Sequence, residues 1–148
     1  MRTRATYFCL VAGLTFGARA DAEQWFTVGS PSADATGTLV EVDLDTVRPR
    51  GQGGEGVIRV TFDVPQPHGT EFRYRSFVGN AQFDCQRRHI SLTRATYYGQ
   101  PAGKGARLGT DSSAREAGVP PRLLDSVPAA ARGALLRATC ATTQTSAI

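Results

Sequence analysis

Only two histidines are available in this sequence as catalytic bases, His68 and His89. Acyl transfer needs a nucleophile held by a base that a third group orients, and neither histidine lies in a recognisable motif of that kind. We therefore expect both to be surface histidines. The alternative is a hydrolase with an unrecognised site that uses one of them as its base.

The carboxylates do not complete a metal site with these histidines. Two histidines and a carboxylate occur here without the spacing of a zinc site. Asp43 and Asp45 form a D-x-D pair, but the glycine and glutamate of a calcium loop do not follow. Asp45 is instead predicted to cap a turn that contains Thr46 and Val47. The sequence predicts no metal, no cofactor and no catalytic residue.

The remaining chemical candidate is a set of four arginines: Arg73, Arg75, Arg87 and Arg88. The first two share one face of a predicted strand, and the second two come next along the chain. Together they predict a basic patch for an anionic ligand such as a heparin-like glycan, a phospholipid or a haem propionate. The alternative is the solvated face of an amphipathic sheet, balanced by Glu71 and Asp84.

The N-terminal segment has the order of a secretory signal. Two arginines precede an uncharged run at 7–16, which is far shorter than the ~20 residues of a membrane-spanning helix. Small residues at 20–22 suit cleavage after Ala22, and those at 18–20 offer a second register. A buried N-terminal helix is the alternative. Cys9 lies inside the apolar run, so no lipid anchor is expected, and no later stretch is apolar enough to span a membrane.

Removal of residues 1–22 changes the charge and the cysteine count. The formal net charge falls from +4 to +2, because three arginines and one aspartate leave with that segment. Such a charge is no footprint for nucleic acid. Cys85 and Cys140 remain, and in an oxidising compartment we expect them to form a disulfide. Two free thiols or a redox pair are the alternatives, although the C-x-x-C spacing of redox dithiols is absent.

Alternating and β-branched segments predict a sheet of several strands. The predicted strands are 25–28, 39–44, 57–64, 71–85 (as one strand or two), 88–98 and an edge strand near 106–108. A helical turn is predicted at 45–49, and a loop at 65–70 because two prolines lie there. Gly79 and Asn80 are expected to mark a bend where the apolar face of the fourth strand switches.

A C-terminal helix is predicted at 128–140, with Ser126 as its N-cap. Leu135 and Leu136 would face the sheet, and Cys140 would tie the end of the helix to the strand that holds Cys85. The fold class is therefore α+β. Residues 23–140 form one domain, and residues 141–148 are predicted to be a flexible tail.

Several short motifs recur in an order that resembles the surface-adhesin protein E-like family of Proteobacteria. They are Trp25 after the predicted cleavage site, the V-D and T-V elements within 42–47, the Arg/Ser segment 73–76, F-D-C at 83–85, and a Ser/Pro-capped helix that ends at Cys140. The resemblance covers nearly the whole chain after residue 22.

The resemblance implies an antiparallel sheet of about six strands, packed against one helix and closed by one disulfide. It also implies a surface adhesin that binds host matrix and plasma proteins, in a family linked to haem and without catalytic residues to transfer. The predicted function is an exported, periplasmic or secreted, non-enzymatic domain that binds host or envelope proteins or a small anionic ligand. A structural accessory protein of the envelope is the alternative.

Overall fold

The computed structural model describes residues 23–29, 37–112, 124 and 127–145, and within these ranges the chain forms one six-stranded sheet and one long helix. The elements are β1 (Trp25–Gly29), β2 (Thr38–Arg50), β3 (Gly53–His68), β4 (Phe72–Asp84), β5 (His89–Tyr98), β6 (Arg107–Ser112) and α1 (Ala129–Thr145). The strands lie in chain order, each antiparallel to its neighbours. This confirms the predicted α+β fold. The predicted signal segment, 1–22, lies outside the described residues.

One face of the sheet forms the core with α1. β3 alternates strictly, so that Ile58, Val60 and Phe62 are buried while the residues between them are half-buried. Ala131, Leu135 and Thr139 are four residues apart in α1 and are almost completely buried, so they form one stripe of the helix. Leu136 packs at the margin of the core, as predicted.

A disulfide joins the helix to the sheet. Cys85 follows β4 directly, and its Sγ is bonded to that of Cys140 in the last third of α1. This confirms the predicted pairing. The helix continues to Thr145, so the predicted tail begins as helix, and residues 146–148 lie outside the described ranges.

The predicted helical turn at 45–49 is wrong, because β2 continues to Arg50. Side chains replace the ladder bonds where the register shifts: Thr46 Oγ1 accepts the Val57 N–H at 2.8 Å and donates to the Asp43 carbonyl at 2.7 Å. The Asp43 carboxylate accepts the Asp45 N–H at 3.1 Å. Asp43, not Asp45, therefore supplies the side chain that organises this irregularity.

The predicted loop at 65–70 is also largely strand. β3 runs to His68 and pairs with β4 beyond both prolines. β2 begins at Thr38, which pairs with Phe62, and the Gly37 carbonyl accepts the Asp63 N–H at 3.3 Å. Beyond Asp63, no described residue pairs with β3 on that side. A missing proline N–H is tolerated at such an edge, although not in a central ladder.

The switch of face in β4 lies earlier than predicted. Tyr74 and Phe77 both face the core, so the alternation changes between them, where the β3–β4 register shifts. A second irregularity does occur beside Asn80, but the additional residue there is Thr93 of β5. β4 itself keeps its alternation from Phe77 to Phe83.

Candidate functional site

The sheet face opposite α1, called the outer face below, is covered over only one half. Arg59 binds the Glu41 carboxylate through two hydrogen bonds of 2.7 and 2.8 Å, and its guanidinium carbon lies 4.1 Å from the centroid of the Trp25 ring. Both charged side chains are nearly buried, at 15% and 10% exposure. This cluster holds the side chain of Trp25, in the edge strand β1, on the outer face. Trp25 therefore has a packing role.

A short 3₁₀ helix, Pro101–Gly103, covers the same half of the outer face. The Ala102 N–H donates to Thr61 Oγ1 at 3.1 Å, and the Gly103 N–H donates to Ser76 Oγ at 2.9 Å. These bonds place the turn over the middle of β3 and β4. The other half of the outer face, toward the β2–β3 and β4–β5 turns, is left open among the described residues.

The structure separates the four predicted ligand-binding arginines into two pairs. Arg73 and Arg75 lie at the start of β4, whereas Arg87 and Arg88 lie in the turn after it. Arg75 and Asp84 are nine positions apart along β4, which corresponds to roughly 30 Å at ~3.3 Å per residue. The four side chains therefore do not form one patch.

Arg73 and Arg75 contact backbone carbonyls at the irregular end of β3. An Nη2 of Arg73 donates to the Pro65 carbonyl at 2.7 Å, and that of Arg75 donates to the Asp63 carbonyl at 2.8 Å. Both carbonyls belong to residues between Thr61 and Gln66, where the β3–β4 register shifts. The contacts satisfy backbone groups that the sheet leaves unpaired.

Arg87 and Arg88 meet a different pair of arginines. The antiparallel register aligns Gly53 with Asp84, and Asp84 with His89, so the β2–β3 and β4–β5 turns lie side by side. Four exposed arginines meet there, called the arginine-rich end below: Arg48, Arg50, Arg87 and Arg88. Sequence reasoning missed the first two, although their position just before the glycine-rich turn was a usable signal.

An open groove of about 380 Å³ lies at the arginine-rich end, with Arg50, Arg87, Gln82 and His89 among its lining residues. A second groove of about 230 Å³ shares Arg50 and Gln82 with the first and continues along the outer face. Gly53 belongs to the lining, and a Cβ at this position would overlap the backbone of Phe83. Glycine is therefore required there.

The charges of the arginine-rich end are only partly paired. Arg50 forms an ion pair with Glu55, and the Arg87 guanidinium lies 3.7 Å from an Asp84 oxygen. Both ion pairs are solvent-accessible, and exposed ion pairs contribute little to the stability of a protein. Arg88 has a positive φ of 52°, a conformation that favours glycine. Its side chain has no ion pair with any described residue.

The two histidines lie at opposite ends of the sheet. His89 is exposed, as predicted. His68 is only 26% exposed, stacks on Phe72 at 4.5 Å and lies with Nε2 3.0 Å from Asp111 Oδ2. The Tyr97 hydroxyl donates to the same oxygen at 2.7 Å. The expectation that His68 is a simple surface residue is therefore wrong, because aromatic packing and a carboxylate hold it.

Burial opposes ionisation of Asp111, but hydrogen bonds from His68 and Tyr97 outweigh it and hold the pKa of this carboxyl below its ordinary value. Burial, together with the bond to Asp111, raises the pKa of the Tyr97 hydroxyl far above its ordinary range. The result is a neutral phenol that donates to a carboxylate. Since Asp111 lies in β6, the cluster fastens the edge strand to β3 and β5.

A histidine–carboxylate pair also occurs in hydrolytic triads, where the histidine activates a nucleophilic side chain. His68 has no such nucleophile bonded to it among the described residues. No Ser, Thr or Cys side chain of the described residues hydrogen-bonds to this ring, and its Nδ1 is buried without a hydrogen bond, 3.5 Å from Glu71. The ring is enclosed by aromatic side chains and is not directed into either groove. The cluster fits a structural role.

Among the described residues, no group of three or more His, Cys, Asp or Glu side chains is arranged to hold a metal ion. No helix within those ranges has the length and apolar character needed to cross a membrane. Among the described residues, the arginine-rich end is where exposed charged and polar side chains surround a groove.

Comparison with known proteins identifies one family. The family model described as surface-adhesin protein E matches residues 25–141, which is well over half of the 148 residues. No curated protein and no solved structure matches the chain at a significant level. The family description indicates an adhesin-like surface protein and hence an exported one. The chain belongs to the surface-adhesin protein E family.

Proposed function

We propose that this member of the surface-adhesin protein E family is a non-enzymatic binding module that attaches to a macromolecule outside the cytoplasm. Its partner would be a host matrix protein or a protein of the cell envelope. The observation that carries the proposal is the open half of the outer face, which ends in four exposed arginines beside a shallow groove. Shallow, polar and open surfaces suit macromolecular partners better than enclosed small-molecule sites.

The chemistry of the described residues supports binding over catalysis. The histidine with a carboxylate partner is enclosed by Phe72 and Tyr97, while His89, which borders the groove, is exposed. Neither has the nucleophile that acyl transfer requires within the described ranges. The disulfide supports an oxidising compartment. Export through cleavage after Ala22 is part of the proposal, and N-terminal sequencing of the exported protein should begin at Glu23.

Within this proposal, the predicted ligand-binding arginines have two different roles. Arg87 and Arg88 contact the partner. Both side chains are exposed, Arg87 lines the groove, and Arg88 follows it in the β4–β5 turn. Arg73 and Arg75 maintain the end of β3 through the carbonyls of Pro65 and Asp63. The two pairs carry the same charge, so they provide matched variants.

The test is binding of the protein, expressed from the full chain and purified from the periplasm, to immobilised matrix proteins by biolayer interferometry. R87Q/R88Q should weaken binding about tenfold while its thermal unfolding is unchanged. R73Q/R75Q should instead lower the unfolding temperature and, below that temperature, leave the affinity within about twofold. If no matrix or envelope protein binds the wild type at micromolar concentration, the proposed function is wrong.

A further inference from the structure

We propose that the arginine-rich end binds a sulfated polysaccharide, with the sugar chain lying along the groove between the two turns. This inference rests on the proposed function, since it names the chemistry that the module recognises on its partner. It is carried by a polar groove lined by Arg50 and Arg87, with Arg48 and Arg88 exposed nearby at the end of β2 and in the β4–β5 turn. The strand register produces this arrangement, and the chain order does not reveal it.

The charge of the arginine-rich end favours an anion. Its four arginines face two carboxylates, Glu55 and Asp84, and the two ion pairs that form are exposed. Arg48 donates only to its neighbouring Val47 carbonyl, and Arg88 has no carboxylate partner among the described residues. Two guanidinium groups are thus without a carboxylate partner among the described residues, one near the end of β2 and one in the β4–β5 turn. The groove itself is lined by Arg50 and Arg87, whose ion pairs are exposed. Guanidinium binds the oxygens of sulfate and carboxylate groups in a two-point geometry.

The lining between the arginines favours a sugar. Its side chains include Gln52, Gln82, Gln86 and Ser91, together with the Asp84 carboxylate, which lies 3.7 Å from the Arg87 guanidinium. Amides and hydroxyls both donate and accept hydrogen bonds, as sugar hydroxyl groups require. Phe83 is the aromatic residue of the groove lining, but only 3% of it is exposed. The exposed ring of His89 is also in the lining, so the groove offers one ring and not the series of aromatic side chains on which single-stranded nucleic acids stack.

The shape of the site favours an extended ligand. The grooves of about 380 and 230 Å³ share Arg50 and Gln82, so that one path continues from the turns onto the outer face. The β2–β3 turn borders this path on one side and the β4–β5 turn on the other. A small anion would engage one guanidinium pair, whereas a chain with repeated sulfates can engage both turns.

The conformation of Arg88 agrees with a binding role. Its φ of 52° is one that glycine adopts without strain, yet a long charged side chain occupies the position. Strained residues that the surrounding structure maintains are concentrated at functional sites. The disulfide of Cys85, three residues earlier, anchors this turn to α1.

The test uses a fluorescent heparin oligosaccharide as the probe and the exported full chain as the protein, with fluorescence anisotropy as the readout. Wild type should bind, and its affinity should fall with increasing salt. R87Q/R88Q should bind at least tenfold more weakly. The charge-matched control R107Q/R137Q, which changes two exposed arginines that line neither groove, should bind within about twofold of wild type.

Three results of the binding assay would overturn the inference. They are equal losses in the two double variants, undiminished binding of chemically desulfated heparin, and equally tight binding of a DNA oligonucleotide of the same charge. Treatment of the matrix with a heparin-degrading lyase separates this inference from the proposed function. If adhesion to the matrix protein survives that treatment, the polysaccharide inference fails and the proposed function stands. If heparin binds but no matrix or envelope protein does, the proposed function fails and the inference stands.

Discussion

Replacement of both disulfide cysteines should cost the domain much of its stability. C85A/C140A removes a cross-link between residues 55 positions apart. In the chain-entropy treatment a loop of that length corresponds to about 4 kcal/mol. Domains of this size unfold with free energies of ~5–15 kcal/mol, so the variant should keep its fold with a much smaller margin. The corresponding fall in the unfolding temperature is about 15 °C.

Urea unfolding followed by circular dichroism measures this loss directly, with the wild type in its oxidised and reduced forms as the comparison. The reduced wild type should match the double variant, because both lack the same cross-link. Since Cys85 lies two residues before Arg87, heparin binding should also weaken in both. A loss of less than 1 kcal/mol would refute the reasoning, because α1 would then be held to the sheet by packing alone.

Three further predictions concern single positions, each measured by urea or thermal unfolding. R59M should destabilise the protein by about 3 kcal/mol, because it leaves the Glu41 carboxylate nearly buried without its partner; an unchanged midpoint would contradict this. G53A should destabilise it by more than 1 kcal/mol, since the new Cβ would overlap the backbone of Phe83. The lowered pKa of Asp111 contributes stability that is present above its ordinary value near 4 and is lost as the pH falls through the folded value. D111N should therefore be less stable than wild type at pH 7 and should converge with it in acid; a constant difference between pH 7 and pH 2 would contradict the assignment.

Strict alternation made much of the fold predictable. β5 carries apolar and β-branched residues along its length, and its observed bounds, His89–Tyr98, differ from the prediction by one residue. The cysteine pairing followed from counting, because the predicted removal of residues 1–22 leaves two thiols. Both signals are local or arithmetic and do not depend on how distant strands align.

The errors arose where tertiary context overrides local chemistry. Pro65 and Pro67 predicted a loop, but no described residue pairs with β3 on the β2 side beyond Asp63, so the strand accommodates both prolines there. At 45–49 the composition suggested a turn, whereas Thr46 replaces the missing ladder bonds with its hydroxyl. The periodicity of a sequence does not indicate where a neighbouring strand ends. It also does not indicate where a side chain replaces a backbone hydrogen bond of the sheet.

The candidate site was half predictable. Arg87 and Arg88 were identified from their charge and position, but they were grouped with arginines that are close in the chain. Register decides the true neighbours: once the β3–β4 and β4–β5 pairings are known, the β2–β3 turn must lie beside the β4–β5 turn. The order of residues along the chain does not determine those pairings.

Hydrogen–deuterium exchange with and without a bound matrix protein tests the central claim most directly, because it locates the binding surface without any substitution. Binding through the arginine-rich end predicts slower exchange at 48–54 and 84–91, with residues 63–75 unchanged. Protection confined to residues 63–75 would contradict this account, because it would place the partner at Arg73 and Arg75, at the opposite end of β4.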